Sequence, residues 1–156
     1  MLSGRVASAG MDRKDLAILA ELQRDARATY AEVGKAVGLS ASSVHDRVRK
    51  LEEQRVIRGY AAKVDPEALG LFVTSLVSVM PLDPKQPDDL PDRIVEFEEV
   101  EDCFSVAGSE NYVLKVRTKT TTDLEDFLRR LREKAGVQTR TTVVLSTPFE
   151  DRPLRP

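Results

Sequence analysis

Tryptophan is absent from this chain of 156 residues, cysteine and histidine occur once each, and aromatic residues make up only 5%. Each scarcity closes a class of function. A lone Cys103 forms no internal disulfide framework and fits a reducing compartment, so a cytoplasmic location is expected. Cys103 and His45 are too few to build a zinc site within one chain, and neither a metal nor another cofactor is expected. So few aromatics leave no row of stacking platforms for single-stranded nucleic acid. No apolar run approaches the ~18 residues that suggest a membrane span, and the first residues lack the basic-then-apolar order of a secretion signal. No Gly-rich phosphate loop, nucleophile elbow or pair of catalytic acids with a base is present.

What remains is a folding composition, 41% hydrophobic and 32% charged, with a net charge of −2. That small net charge hides an asymmetry. Residues 1–64 carry 12 Lys and Arg against 8 Asp and Glu, whereas residues 65–156 carry 12 against 18. A basic first part suits a polyanion; the alternative is ordinary surface charge.

Residues 1–10 have no pattern and read as a flexible tail. Residues 12–25 read as a helix capped by Asp12, with Leu16, Ile18, Leu19 and Leu22 clustered on one side. Thr29-x-x-Glu32 is a capping box that starts a second helix at Tyr30, with Tyr30, Val33 and Val37 apolar and Gly38 as its left-handed stop. Ser40 caps a third helix. Its Val44, Val48 and Leu51 share one face, and Ser42, Asp46, Arg49 and Glu53 point the opposite way. Residues 57–64 then alternate like an extended wing, and 65–70 form a linker punctuated by Asp65-Pro66 and Gly70.

The second part, 71–148, alternates strand and helix signals. Strands are expected at 72–80, 100–107, 111–118 and 139–147, the first buried on both faces. Leu90, Ile94 and Phe97 mark one helix. Thr122-x-x-Glu125 caps another, whose stripe is Leu124, Phe127, Leu128 and Leu131 and whose stop is Gly136. Pro81, Pro84 and Pro87 interrupt the chain, the acidic pairs Asp88-Asp89 and Glu98-Glu99 read as solvated faces, and 149–156 is a tail. The fold class is therefore α+β: an N-terminal winged helix-turn-helix over 11–64 and a C-terminal ferredoxin-like βαββαβ domain over 71–148. The second fold alone names no function.

The three helices in front are more informative. Two helices joined by a short Gly turn are helix-turn-helix grammar, and a helix that enters the major groove needs short polar side chains on its first turns. Ser40, Ser42 and Ser43 meet that need, and His45 sits beside them. Arg49 and Lys50, with Arg58 and Lys63 from the wing, are placed to neutralise phosphates. Arg47 lies between the core face and the outward face, so it suits a phosphate contact or an ion pair with a neighbouring helix. A three-helix bundle used only for dimerisation is the alternative for the whole unit.

The run MDRKDLAILAELQRDARATYAEVGKAVGLSASSVHDRVRKLEEQRVIRGYAAKVDPEALG, continued by CFSVAGSENYVLKV and GVQTRTTVVL, resembles the leucine-responsive/asparagine regulator (Lrp/AsnC, feast/famine) family over roughly residues 11–147. The resemblance implies a transcriptional regulator that binds double-stranded DNA. It implies dimers formed through the second domain, often assembled into tetramers or octamers, and a small effector such as an amino acid or related metabolite. It places that effector near a Gly-x-x-Asp turn, which reads here Gly108-Ser109-Glu110-Asn111 and is followed by Tyr112. Thr139 and Thr141 match the family's Thr-x-Thr, or are ordinary strand residues. Two departures stand out. Asn111 replaces the acid that would balance an α-ammonium, so the ligand is not an ordinary free amino acid or the site is weak or lost. Arg55 occupies a place where the family has Gly, so it is either strained by about 1 kcal/mol or more, or the helix ends differently. A branch of similar fold decarboxylates sirohaem, which makes an enzyme one alternative. A ligand-sensing assembly module that has lost specific DNA binding is another.

Overall fold

The computed structural model describes residues 10–83 and 89–154. Residues 1–9 of the expected 1–10 tail, Pro84, Pro87, Asp88 and the last two residues lie outside them. The described chain divides into two compact units, one of residues 10–62 with 149–154 and the other of 63–148.

The first unit is three helices, α1 (Arg13–Arg24), α2 (Tyr30–Val37) and α3 (Ala41–Glu53). Local chemistry sets their starts. Asp12 accepts the Asp15 N–H while the Asp15 carboxylate accepts the Asp12 N–H, and Thr29 and Glu32 do the same for α2. Ser40 accepts the Ser43 N–H at 3.1 Å. Gly38 ends α2 at φ 68°, a left-handed conformation that costs a glycine nothing. Ile18, Leu22, Val33, Val37, Val44 and Val48 form the core, with Leu51 also buried. Tyr30, read as an apolar position, is instead 37% exposed.

Behind α3 the chain turns sharply. Arg55 takes φ 56°, so the departure from glycine is a strained backbone and the helix does not run on. The Val56 and Ile57 N–H groups both bond to the Leu51 carbonyl. The expected extended wing over 57–64 forms no strand: no described strand pairs with it, and Gly59 at φ 150° breaks the run. An alternating pattern makes a strand only when a neighbour completes its ladder. The linker is a single 3-10 turn, Glu67–Leu69, closed by Gly70.

The second unit is β1 (Val73–Pro81), α4 (Leu90–Ile94), β2 (Val100–Ser105), β3 (Tyr112–Thr118), α5 (Thr121–Ala135) and β4 (Val137–Val143). The antiparallel sheet has the order β2-β3-β1-β4, the ferredoxin-like arrangement. One face is the core: Val77, Val79, Leu114 and Val116 pack under Phe127 and Leu131 of α5 and Ile94 of α4. Phe97 meets Phe127 edge-on, ring centroids 5.6 Å apart.

Three expectations change here. β1 is buried on one face only, since Ser75, Val77 and Val79 are covered while Leu76 is 41% exposed. The cap of α5 is Thr120 with Asp123, two residues before the expected Thr122. β2 ends at Ser105 and β4 spans Val137–Val143, short of the expected ends at 107 and 147.

Candidate nucleic-acid interface and effector cleft

α3 presents its outer face from a rigid seat. Its underside is the buried Val44, Val48 and Leu51, and the turn from α2 is locked because the Gly34 carbonyl accepts both the Gly38 and the Leu39 N–H. The Lys14 ammonium of α1 donates to the Val37 carbonyl and caps the end of α2.

The three serines form one cluster: the Ser40 hydroxyl lies 3.0 Å from that of Ser42 and 2.8 Å from that of Ser43. No acid occupies the first turn of α3, so its positive end is not neutralised from within. His45 packs edge-on against Tyr30, centroids 5.5 Å apart, and approaches Asp46 at 3.4 Å. Arg49 is exposed, and its ion pair among the described residues is a loose 3.5 Å contact to Glu53. Lys50 and Arg58 are exposed and make no ion pair among the described residues. Six expected positions therefore share α3's accessible surface, and Arg58 lies past its end.

Arg47 behaves differently. Its guanidinium donates to Asp12 and Asp15, both at 2.7 Å, and so ties α3 to the cap of α1. The Asp12 carboxyl sits below the usual range, first because it accepts the Asp15 N–H and then because of Arg47. Of the two roles the sequence left open, the structure shows the ion pair. Sequence spacing gave no signal for this triad, nor for the Tyr30–His45 contact, because both join residues on different helices.

In the second unit Ser105, Val106, Ala107, Gly108, Glu110, Asn111 and Tyr112 line an open cleft of about 220 Å³ at the β2–β3 turn. The turn is pinned by the Val106 N–H on the Asn111 carbonyl and the Asn111 N–H on the Val79 carbonyl. Tyr112 points into the core and is 6% exposed. The Glu110 side chain is folded in, 14% exposed. It accepts the Ser109 hydroxyl at 2.8 Å and pairs with Arg140 of β4. Its carboxyl is held below the ordinary range by the Ser109 hydrogen bond first, with Arg140 adding to it. Arg140 escaped the sequence reading because its partner is 30 residues away.

Thr139 and Thr141 do not join this cleft in the single chain. They pair with Val79 and Val77, whose side chains face the core, whereas Arg140 pairs with Ser78 on the opposite face. The Thr139 hydroxyl accepts from Arg132 of α5 at 3.2 Å.

Comparison with known proteins agrees with this layout. Residues 11–52 match the AsnC-type helix-turn-helix domain, and residues 73–154 match the Lrp/AsnC ligand binding domain. The HTH-type transcriptional regulator LrpA of Mycobacterium tuberculosis is 48% identical over 142 residues, which are 91% of this chain and 95% of that protein. A feast or famine regulatory protein of the same organism, solved in complex with L-methionine, superposes with a TM-score of 0.92 at 47% identity, covering 94% of this chain and all of the other. A Neisseria meningitidis transcriptional regulator, also solved with L-methionine, gives a TM-score of 0.87 at 28% identity, covering 94% of this chain and 97% of that one. With both halves accounted for, in order and in geometry, the chain belongs to the Lrp/AsnC family of DNA-binding transcriptional regulators.

Proposed function

We propose that α3 enters the major groove of double-stranded DNA with Ser40, Ser42, Ser43 and His45 toward base edges, while Arg49, Lys50 and Arg58 engage phosphates. Arg47 is assigned to holding α3 rather than to DNA. The observation that carries this reading is the outer face of α3: short hydroxyls at its start, unburied cations further along, and an apolar underside that leaves the helix one way to face.

Two copies act together. The sheet face away from α4 and α5 carries Leu76 at 41% and Phe104 at 50% exposure among Lys115, Arg117 and Arg140, and exposed apolar side chains mixed with charges in this way suit pairing with a second copy. A homodimer then presents two α3 helices to a near-palindromic site, and dimers assemble further into tetramers or octamers. The effector is a small metabolite bearing a carboxylate, related to the amino acids that two relatives bind, held at the 105–112 cleft by backbone N–H groups of the turn. It acts by changing how dimers assemble, and with that the spacing of the DNA-binding heads. The protein works in the cytoplasm through binding alone, with no catalytic step.

Fluorescence anisotropy on the duplex upstream of its own gene, across a salt series, tests the reading. Arg49→Ala and Lys50→Ala should each weaken binding and lower the salt slope by about one. Slopes unchanged in both variants would remove their phosphate role. Calorimetry with L-methionine on the parent and on Asn111→Asp tests the cleft: the acid should strengthen binding, and no heat from either protein would reject L-methionine as the effector.

A further inference from the structure

The last described residues of the chain do not trail away. Residues 149–154 belong to the helical unit, although the chain reaches them from the sheet. Their path is bent and self-supported: Asp151 takes φ 49°, and the Arg152 guanidinium stacks 3.8 Å from the Phe149 ring. Aspartate is among the few residues that tolerate the left-handed region, so the bend there costs little.

At its end the segment meets α1. The Leu154 N–H donates to Gln23 Oε1 at 2.7 Å, and Gln23 Nε2 donates to the Leu154 carbonyl at 3.3 Å. One side-chain amide thus uses its donor and its acceptor on the backbone of one residue, as a neighbouring strand would. Leu154 lies on the rim of an apolar groove of about 670 Å³ between α1 and residues 56–61, floored by Leu16, Leu19, Ile57 and Tyr60. Leu22 of the helical core and Arg58, assigned above to phosphates, also line it, and the effector cleft does not use it.

We propose that the rim of this groove is a docking site for the chain's own C-terminal segment, held through its backbone by Gln23, while the Leu154 side chain stays exposed. The segment acts as a strap. The helical unit is then joined to the sheet unit twice, through the linker that follows residue 62 and through the chain that leaves β4. A doubly tethered head has less orientational freedom than one on a single linker. The strap itself does not depend on the proposed DNA contacts or effector.

Amide hydrogen exchange by NMR on the full-length protein, free of DNA and metabolite, tests the strap without reference to either. The Leu154 amide should exchange roughly tenfold more slowly than in an unstructured peptide of the same sequence. Gln23→Ala should abolish that protection while the α1 amides keep theirs. Gln23→Glu keeps the acceptor for the Leu154 N–H and should retain most of it. A Leu154 amide that exchanges at the peptide rate in the parent, or that is indifferent to Gln23→Ala, would overturn the proposal.

Discussion

Gly34 is the position where one methyl group tests the turn that presents α3. It lies inside α2, and a Cβ built there would come within 2.6 Å of the Leu39 carbonyl oxygen. The obstructing atom is backbone, so no side-chain rotation relieves it. The turn must move by about 0.4 Å to reach even the tightest separation that real Cβ atoms show. Overpacking of this kind costs about 1–3 kcal/mol. Alanine's higher helix propensity returns about 1 kcal/mol. Gly34→Ala should therefore destabilise the protein by about 1 kcal/mol, read from urea unfolding followed by circular dichroism. The larger effect should fall on DNA affinity. The displaced residues lead directly into the Ser40 cap, and a base contact is worth about 1–3 kcal/mol, so affinity should fall by roughly tenfold or more. Gly38→Ala is the control. It meets only the flexible Lys14 ammonium at 3.5 Å and pays for its φ of 68°, so it should lose about 1 kcal/mol of stability with far less effect on binding. A Gly34→Ala protein that is more stable than the parent and binds DNA equally well would refute the locked turn.

Three further outcomes follow from the same geometry. Arg55→Gly should raise stability by about 0.5–1 kcal/mol, the strain at φ 56° less the added freedom of the unfolded glycine, and an unchanged urea midpoint would contradict it. Thr120→Ala should cost about 1 kcal/mol by removing the α5 cap, and Thr122→Ala close to nothing; the reverse order in thermal melts would place the cap wrongly. Desolvation, with the 2.9 Å hydrogen bond to Glu52 behind it, pushes the Tyr60 phenol up to about 12. A raised acid pKa favours the neutral form, so this contribution to stability is whole below pH ~10 and is lost as pH rises toward 12. Ultraviolet titration should show a late phenolate that is lost in Tyr60→Phe and moves down in Glu52→Gln, and no such movement would reject the assignment.

The elements that could be read from the sequence are those whose cause is local. The Thr29–Glu32 box, the Ser40 cap and the Gly38 and Gly136 stops join groups three or four residues apart, so spacing alone identifies them. The α5 stripe is the same kind of signal. Its cap was displaced because Thr120 and Thr122 each have an acid three residues on. The choice falls to Thr120 because the buried Thr118 at the end of β3 donates its hydroxyl to the Thr120 carbonyl at 3.0 Å and fixes where the strand stops. The wing was misread because 57–64 has the alternation of a strand but no partner among the described residues. In β1, Leu76 and Met80 are apolar on the face opposite α4 and α5, a pattern indistinguishable by composition from two-sided burial. At the functional surfaces, residue types pointed to α3 and to the Gly108 turn. The Arg47–Asp12–Asp15 triad and the Glu110–Arg140 pair needed the fold, since each joins residues about 30 or more apart.

Methylation protection of the bound operator measures the central claim most directly, because the N7 of guanine lies in the major groove and adenine N3 in the minor. A homodimer presenting two α3 helices should shield guanine N7 in two tracts about one helical turn apart, with adenine N3 left reactive between them. Protection confined to adenine N3, or specific binding that leaves every guanine N7 reactive, would contradict the entry of α3 into the major groove.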